Sequence, residues 1–143
     1  MNFSVLQFDC VKENCYLFLM KEAEGIAQSL YIGYGKPDQS LKISPDGNKV
    51  MPGIQSYKYD SVDSRVLRNQ IALIDLQTFE QIYPRGYEQY FDSNLWPIPE
   101  YEWLDTKTIR IIKADTENHT HETIAEWEKL DYPLVKELKI KVQ

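Results

Sequence analysis

Two histidines one residue apart, in "HTHE" at positions 119–122, are the nearest approach in this chain to a metal-binding arrangement. On a β-strand His119 and His121 would face the same side, and Glu122 could add an oxygen to two imidazole nitrogens, a donor set suited to zinc. The likeness to an H-x-H-x-D-H zinc motif stops after the second histidine, because Thr123 and Ile124 stand where the Asp and the next His would be. At the start of a helix the same residues would be ordinary surface groups. No metal ligand set is assigned, and a metal-dependent hydrolase or nuclease using His119, His121 and nearby carboxylates is carried as the alternative function.

The other candidates for chemistry are weaker. Cys10 and Cys15 lie in apolar, strand-like segments with no histidine near them in sequence, where a thiol tends to be buried and unreactive. "GYG" at 33–35 lacks the spacing and the following helix of a phosphate-binding loop. Asp105 with Lys107, and Glu137 with Lys139, pair a carboxylate with a lysine as metal-dependent nucleases do. The formal net charge of -6 opposes that use, since a negative field repels a phosphate backbone. The expectation is therefore no catalytic residue, no cofactor and no nucleic-acid partner.

What remains is recognition. "YPRGYEQYFDSNLWPIPEYEW", residues 83–103, holds seven aromatic rings, three prolines and four carboxylates. Each proline removes a backbone donor and restricts the residue before it, so the stretch reads largely as loop. Loops run over surfaces, and Tyr and Trp there give rigid contact area with a polar tip. The candidate partner-binding residues are Tyr87, Glu88, Tyr90, Asp92, Trp96, Glu100 and Tyr101, and their carboxylates favour a basic protein as partner. The competing reading folds Trp96, Trp103 and half of the tyrosines inward as a lid over the sheet. On the first reading the chain is a small soluble non-enzymatic binding protein of an inhibitor, immunity or adaptor type.

These residues must be positioned by a fold that reads as α+β, mainly antiparallel β-sheet built of hairpins and meanders, with one or two short helices. At 143 residues, with no internal repeat or linker, a single domain over 1–143 is expected. "FSVLQFD" and "CYLFLM" flank "VKEN" as a hairpin with a four-residue loop, placing Cys10 opposite Cys15. "SLYIGYG" ends at "KPD", and "SPDGNK" turns the chain into the strand "IQSYKYDSV". "NQIALIDL" reads as a strand buried on both faces. Thr78 and Gln81 fit a capping box opening a short helix, with a hairpin turning at Gln77 and Thr78 as the alternative. "KTIRIIKA" and "LKIKV" are strands on either side of the helix "HETIAEWEKL", whose Ile124, Trp127 and Leu130 share the buried face.

The N-terminus lacks a basic segment, and the longest apolar run there, Cys15 to Met20, is too short for a membrane span or signal core. Two cysteines imply no disulfide framework. A cytoplasmic protein with both thiols reduced and no membrane contact is expected.

Overall fold

A computed structural model describes residues 2–61 and 64–142. Strand β1 (Asn2–Val11) pairs antiparallel with β2 (Asn14–Ala23) through a turn of only Lys12 and Glu13. The loop is shorter than expected because Val11 still pairs with Asn14, and the surplus is absorbed in an irregularity between Phe8 and Val11, with Asp9 at φ 47° and Lys12 at φ 58°. Cys10 and Cys15 do face each other, and they are joined by a disulfide. That corrects the expectation of reduced thiols: the hairpin holds the two sulfurs together.

The next strand, β3 (Ile26–Ile43), does not stop at "KPD". Its first half pairs with β2 up to Gly35, and its second half pairs with β4 (Lys49–Ser61) from Lys36 onward. Pro37 therefore sits where the strand has only one neighbour, the position at which a proline's missing N–H costs a sheet least. Between β3 and β4, Asp46 accepts from Ser44 Oγ (2.7 Å) and Asn48 N (3.0 Å), and Gly47 takes φ 75°, as "SPDGNK" requires. Val62, the end of the strand expected at 54–62, lies outside the described residues.

β5 (Ser64–Ile71) and β6 (Ile74–Asp75) pair with successive parts of β4, which resolves "NQIALIDL" into strand on both sides of a break at Ala72 and Leu73. The helix expected after Thr78 is absent; β6 instead forms a small hairpin with β7 (Glu80–Gln81). Asp75 decides this, because its Oδ1 accepts from the backbone N–H of Gln77 (2.8 Å) and Thr78 (3.1 Å), closing the turn before a helix can start. The short helix α1 (Gln89–Asp92) follows, then a second sheet in the order β10–β9–β8, from β8 (Glu100–Asp105), β9 (Thr108–Ala114) and β10 (Val135–Lys141). Helix α2 (His121–Glu128) bridges β9 and β10. The architecture is thus mostly antiparallel sheet with two short helices, one of them near the C-terminus.

Two apolar clusters meet along β4. Val50 and Ile54 join Cys15, Leu17, Leu19, Ile32 and Ile74 on the inner face of the first sheet. Met51 joins Ile71, Tyr101, Ile109, Ile111 and Ile140 where the second sheet packs. The helical face expected on α2 is only partly buried: Ile124 is fully buried, Trp127 is half-buried with its indole N–H donating to Leu134 O (2.6 Å), and Leu130 is exposed.

Candidate functional site

The proline-rich stretch turns inward. Tyr90, Trp96 and Tyr101 are buried, Tyr87 packs partly buried against the same cluster, and Glu88, Asp92 and Glu100 are exposed. The exposed aromatic cluster expected from these residues is therefore not formed. The loop is stitched to β5: Asn69 N donates to Trp96 O (2.8 Å), Ile98 N donates to Asn69 Oδ1 (2.7 Å), and Arg68 Nη1 donates to Leu95 O (2.6 Å). Lys113 Nζ lies 3.6 Å from the Trp96 ring centre and the His119 ring meets its edge. Tyr101 is 1% exposed, with its hydroxyl donating to Asp38 O (2.8 Å). Burial, and secondly the nearby Asp38, push this phenol's pKa up, so it stays neutral.

The histidines are not brought together as ligands. Thr120 caps α2, accepting from Thr123 N (3.3 Å), so His119 precedes the helix and His121 opens it. Among the described residues no group of three or more His, Cys, Asp or Glu is placed to hold a metal ion. The carboxylate and lysine pairs show no nuclease geometry either: Asp105 Oδ1 accepts from Lys107 N in the β8–β9 turn, and Glu137 joins Arg110 in a surface ion-pair group with Glu100 and Glu102.

Of this stretch Tyr83 stays exposed, but the contiguous set of exposed rings lies on the outer face of β1–β3. Residues alternate across a strand, so Cys15, Leu17 and Leu19 of β2 point into the core while Tyr16 and Phe18 point out. Register places Phe8 opposite Tyr16, Tyr16 opposite Tyr34, and Phe18 opposite Tyr31. The result is one continuous row. Ring centres lie 5.6 Å apart for Phe8 and Phe18, 5.4 Å for Phe18 and Tyr31, 6.3 Å for Tyr31 and Tyr16, and 4.9 Å for Tyr16 and Tyr34. Phe8, Tyr16, Tyr31 and Tyr34 are 49%, 46%, 45% and 36% exposed. Burial against its neighbours, then Tyr16 and Tyr34, raises the Tyr31 pKa, so this phenol stays neutral. The signal in the sequence is "CYLFLM": a strand apolar on both faces, followed by no layer able to cover the second.

One end of the row opens into a cleft of about 950 Å³ between β3, β7 and residues 92–95. Tyr31, Tyr34 and Tyr83 supply rings, Glu80 and Asp92 supply carboxylates, and Gln70 forms the floor. Gly33 packs against the floor: a Cβ there would stand 2.6 Å from Ile54 Cδ1 and 3.3 Å from Gln70 Oε1, at a φ of 155° that other residues rarely adopt. A ring-bearing sheet face running into a carboxylate-lined cleft can bind and orient a ligand.

No protein-family model matches the chain, and no curated protein or solved structure is significantly similar to it. Among the described residues no helix is long and apolar enough to cross a membrane.

Proposed function

We propose that the protein is a small non-enzymatic binding protein of an inhibitor, immunity or adaptor type, and that it docks a basic protein partner on the outer face of β1–β3. The continuous row from Phe8 to Tyr34 carries this reading. Single exposed apolar residues are normal on a soluble protein, whereas a contiguous patch of rings marks an interaction surface. Tyr rings supply contact area at low entropic cost. The net charge of -6 speeds encounter with a positive partner and fixes its orientation rather than its affinity. The partner-binding role thereby moves from Tyr90, Trp96 and Tyr101 to Phe8, Tyr16, Phe18, Tyr31 and Tyr34. The disulfide favours an oxidising compartment over the cytoplasm as the place where this happens.

The test is retention of host proteins on immobilised wild type and on a Phe18→Ser, Tyr31→Ser variant of equal Tm. A protein retained by the wild type, released by salt and lost from the variant supports the reading. Equal retention by both refutes it. No observation favours a metal-dependent hydrolase over this reading.

A further inference from the structure

The cleft at the end of the aromatic row is lined by acceptors. Its amide nitrogens are already held within the protein: Gln70 Nε2 donates to Phe91 O (3.1 Å), Gln81 Nε2 to Tyr31 O (2.8 Å), and Asn94 Nδ2 to Ser56 Oγ. Two hydroxyls are spent the same way, Tyr83 on Gln81 Oε1 and Ser93 on Asp92 Oδ1 (2.6 Å). Gln70 is about nine-tenths buried, at 9% exposure, with its Oε1 beside Gly33 in the cleft lining. No described donor meets its Oε1. Among the described residues the charged groups in the lining are Glu80 and Asp92, with no lysine, arginine or histidine.

An anion would meet two carboxylates with no cation to offset them, which excludes phosphate and acidic peptides. A neutral sugar could stack on the rings, but it would bring no positive charge to offset Glu80 and Asp92. A planar cation satisfies every term. A guanidinium offers five donors and no acceptor, pairs with carboxylates in fixed geometry, and stacks on tyrosine faces.

We propose that this cleft receives an arginine side chain of the partner, with Gln70 Oε1, Asp92 and Glu80 as acceptors and the rings of Tyr31, Tyr34 and Tyr83 as walls. This narrows the binding reading above and rests on it: the aromatic row supplies the contact area and the cleft selects a cationic residue beside it. A lysine would enter with fewer hydrogen bonds and no stacking plane, and so bind more weakly.

The experiment is an NMR titration of the ¹⁵N-labelled protein with N-acetyl-arginine methylamide. Its lysine and citrulline counterparts and methyl glucoside serve as comparison probes. The expected result is saturable shifts in the amides of Tyr31 to Tyr34, Gln70 and Ser93 to Leu95 with arginine. Lysine should give smaller shifts, and citrulline and the glucoside none. Asp92→Asn and Glu80→Gln, two exposed positions whose exchange leaves the core intact, should each weaken arginine binding about tenfold, the size of one charge-assisted hydrogen bond. Equal response to citrulline or to the glucoside, shifts centred away from the cleft, an unchanged affinity in both variants, or no response at all overturns the proposal. The two readings fail separately. Partner retention lost in a Phe8→Ser, Phe18→Ser variant, whose positions lie outside the cleft, with no arginine response removes the cleft assignment alone. Arginine binding with retention indifferent to the rings removes the aromatic face.

Discussion

Residues 83–103 and the β1–β3 hairpins are both dense in aromatic rings, and the structure uses them in opposite ways. In the first, Tyr90, Trp96 and Tyr101 turn into the core, drawn in by hydrogen bonds from Asn69 and Arg68 and by the hydroxyl of Tyr101 reaching Asp38 O. In the second, Phe8, Tyr16, Tyr31 and Tyr34 stand out from a sheet whose other face is already packed. Aromatic density alone does not separate a core from a surface. The number of apolar faces, set against the layers available to cover them, does.

The largest effects should come from cutting the inward rings. Trp96→Ala and Tyr101→Ala should each cost about 3–5 kcal/mol in denaturant melts, the range for deleting a buried large aromatic. Gly53→Ala strikes the same contact from the other side, because its Cβ would stand 1.8 Å from Tyr101 Oη and 2.9 Å from Asp38 O. Part of that clash is with backbone, so overpacking of at least 1–3 kcal/mol is expected. Losses below about 1 kcal/mol in Trp96→Ala and Tyr101→Ala would erase the contrast between the two regions.

The next effect belongs to the outward region. Cys10 and Cys15 close a short loop at the tip of the hairpin that carries Phe8, Tyr16 and Phe18. The chain-entropy model gives about 2 kcal/mol for so small a ring. Protein prepared without reductant should show no titratable thiol after denaturation, and Cys10→Ser with Cys15→Ser should lower stability by about that amount. Two free thiols in the native preparation would restore the expectation of reduced cysteines.

Hairpins, turns and the strand-rich class were legible in the sequence because they rest on local signals: the Pro45 to Gly47 turn, the alternation in "LKIKV", and the facing cysteines. The misreadings share a cause in tertiary pairing. In the sequence Pro37 reads as a stop because its neighbour count is invisible in one dimension; it lies where β3 has already left β2. Thr78 with Gln81 matches a helix start, but Asp75 takes the Thr78 N–H that Gln81 would have capped and turns the chain instead. The proline-rich segment was read correctly as mostly loop, yet its rings were placed on the surface because the Asn69 contacts come from a strand distant in sequence. Of the cleft lining, Asp92 alone belongs to the candidate partner-binding residues, while Gly33 and Tyr34 stand in the "GYG" read as a strand end.

A smaller effect is a pH dependence of opposite sign at two aspartates, one beside the inward rings and one in the β3–β4 turn. Asp38, beside Tyr101, has its pKa raised by burial, against a lesser opposing pull from Lys42. A carboxyl raised on folding favours the folded state below its unfolded pKa, and that contribution is lost as pH rises through the folded value. Asp46, in the β3–β4 turn, is lowered by hydrogen bonds from Ser44 and Asn48, so its contribution is present above its unfolded pKa and lost as pH falls through the folded one. Asp38→Asn should therefore raise Tm slightly at neutral pH, with the gain vanishing in acid, whereas Asp46→Asn should lower Tm at neutral pH and converge with wild type in acid. Thermal melts across the acid range check both signs. The same sign for both variants would mean that burial at Asp38 is not the governing term.

The smallest change is expected at Phe8, and it bears most directly on the contrast. Phe8 is 49% exposed on a strand at the sheet edge, and its ring contact in the row is with Phe18 alone. Phe8→Ser removes one cross-strand aromatic pair, worth about 0.2–1 kcal/mol, and leaves no cavity behind it. Stability by chemical melting should fall by less than about 1 kcal/mol, several-fold less than for Trp96→Ala. Polar replacement also shrinks the apolar patch, so partner retention should drop while the fold persists. That combination is the signature of a ring kept for contact rather than for packing. If Phe8→Ser instead costs as much as Tyr101→Ala, the outer face is covered in solution and the row of rings belongs to a core.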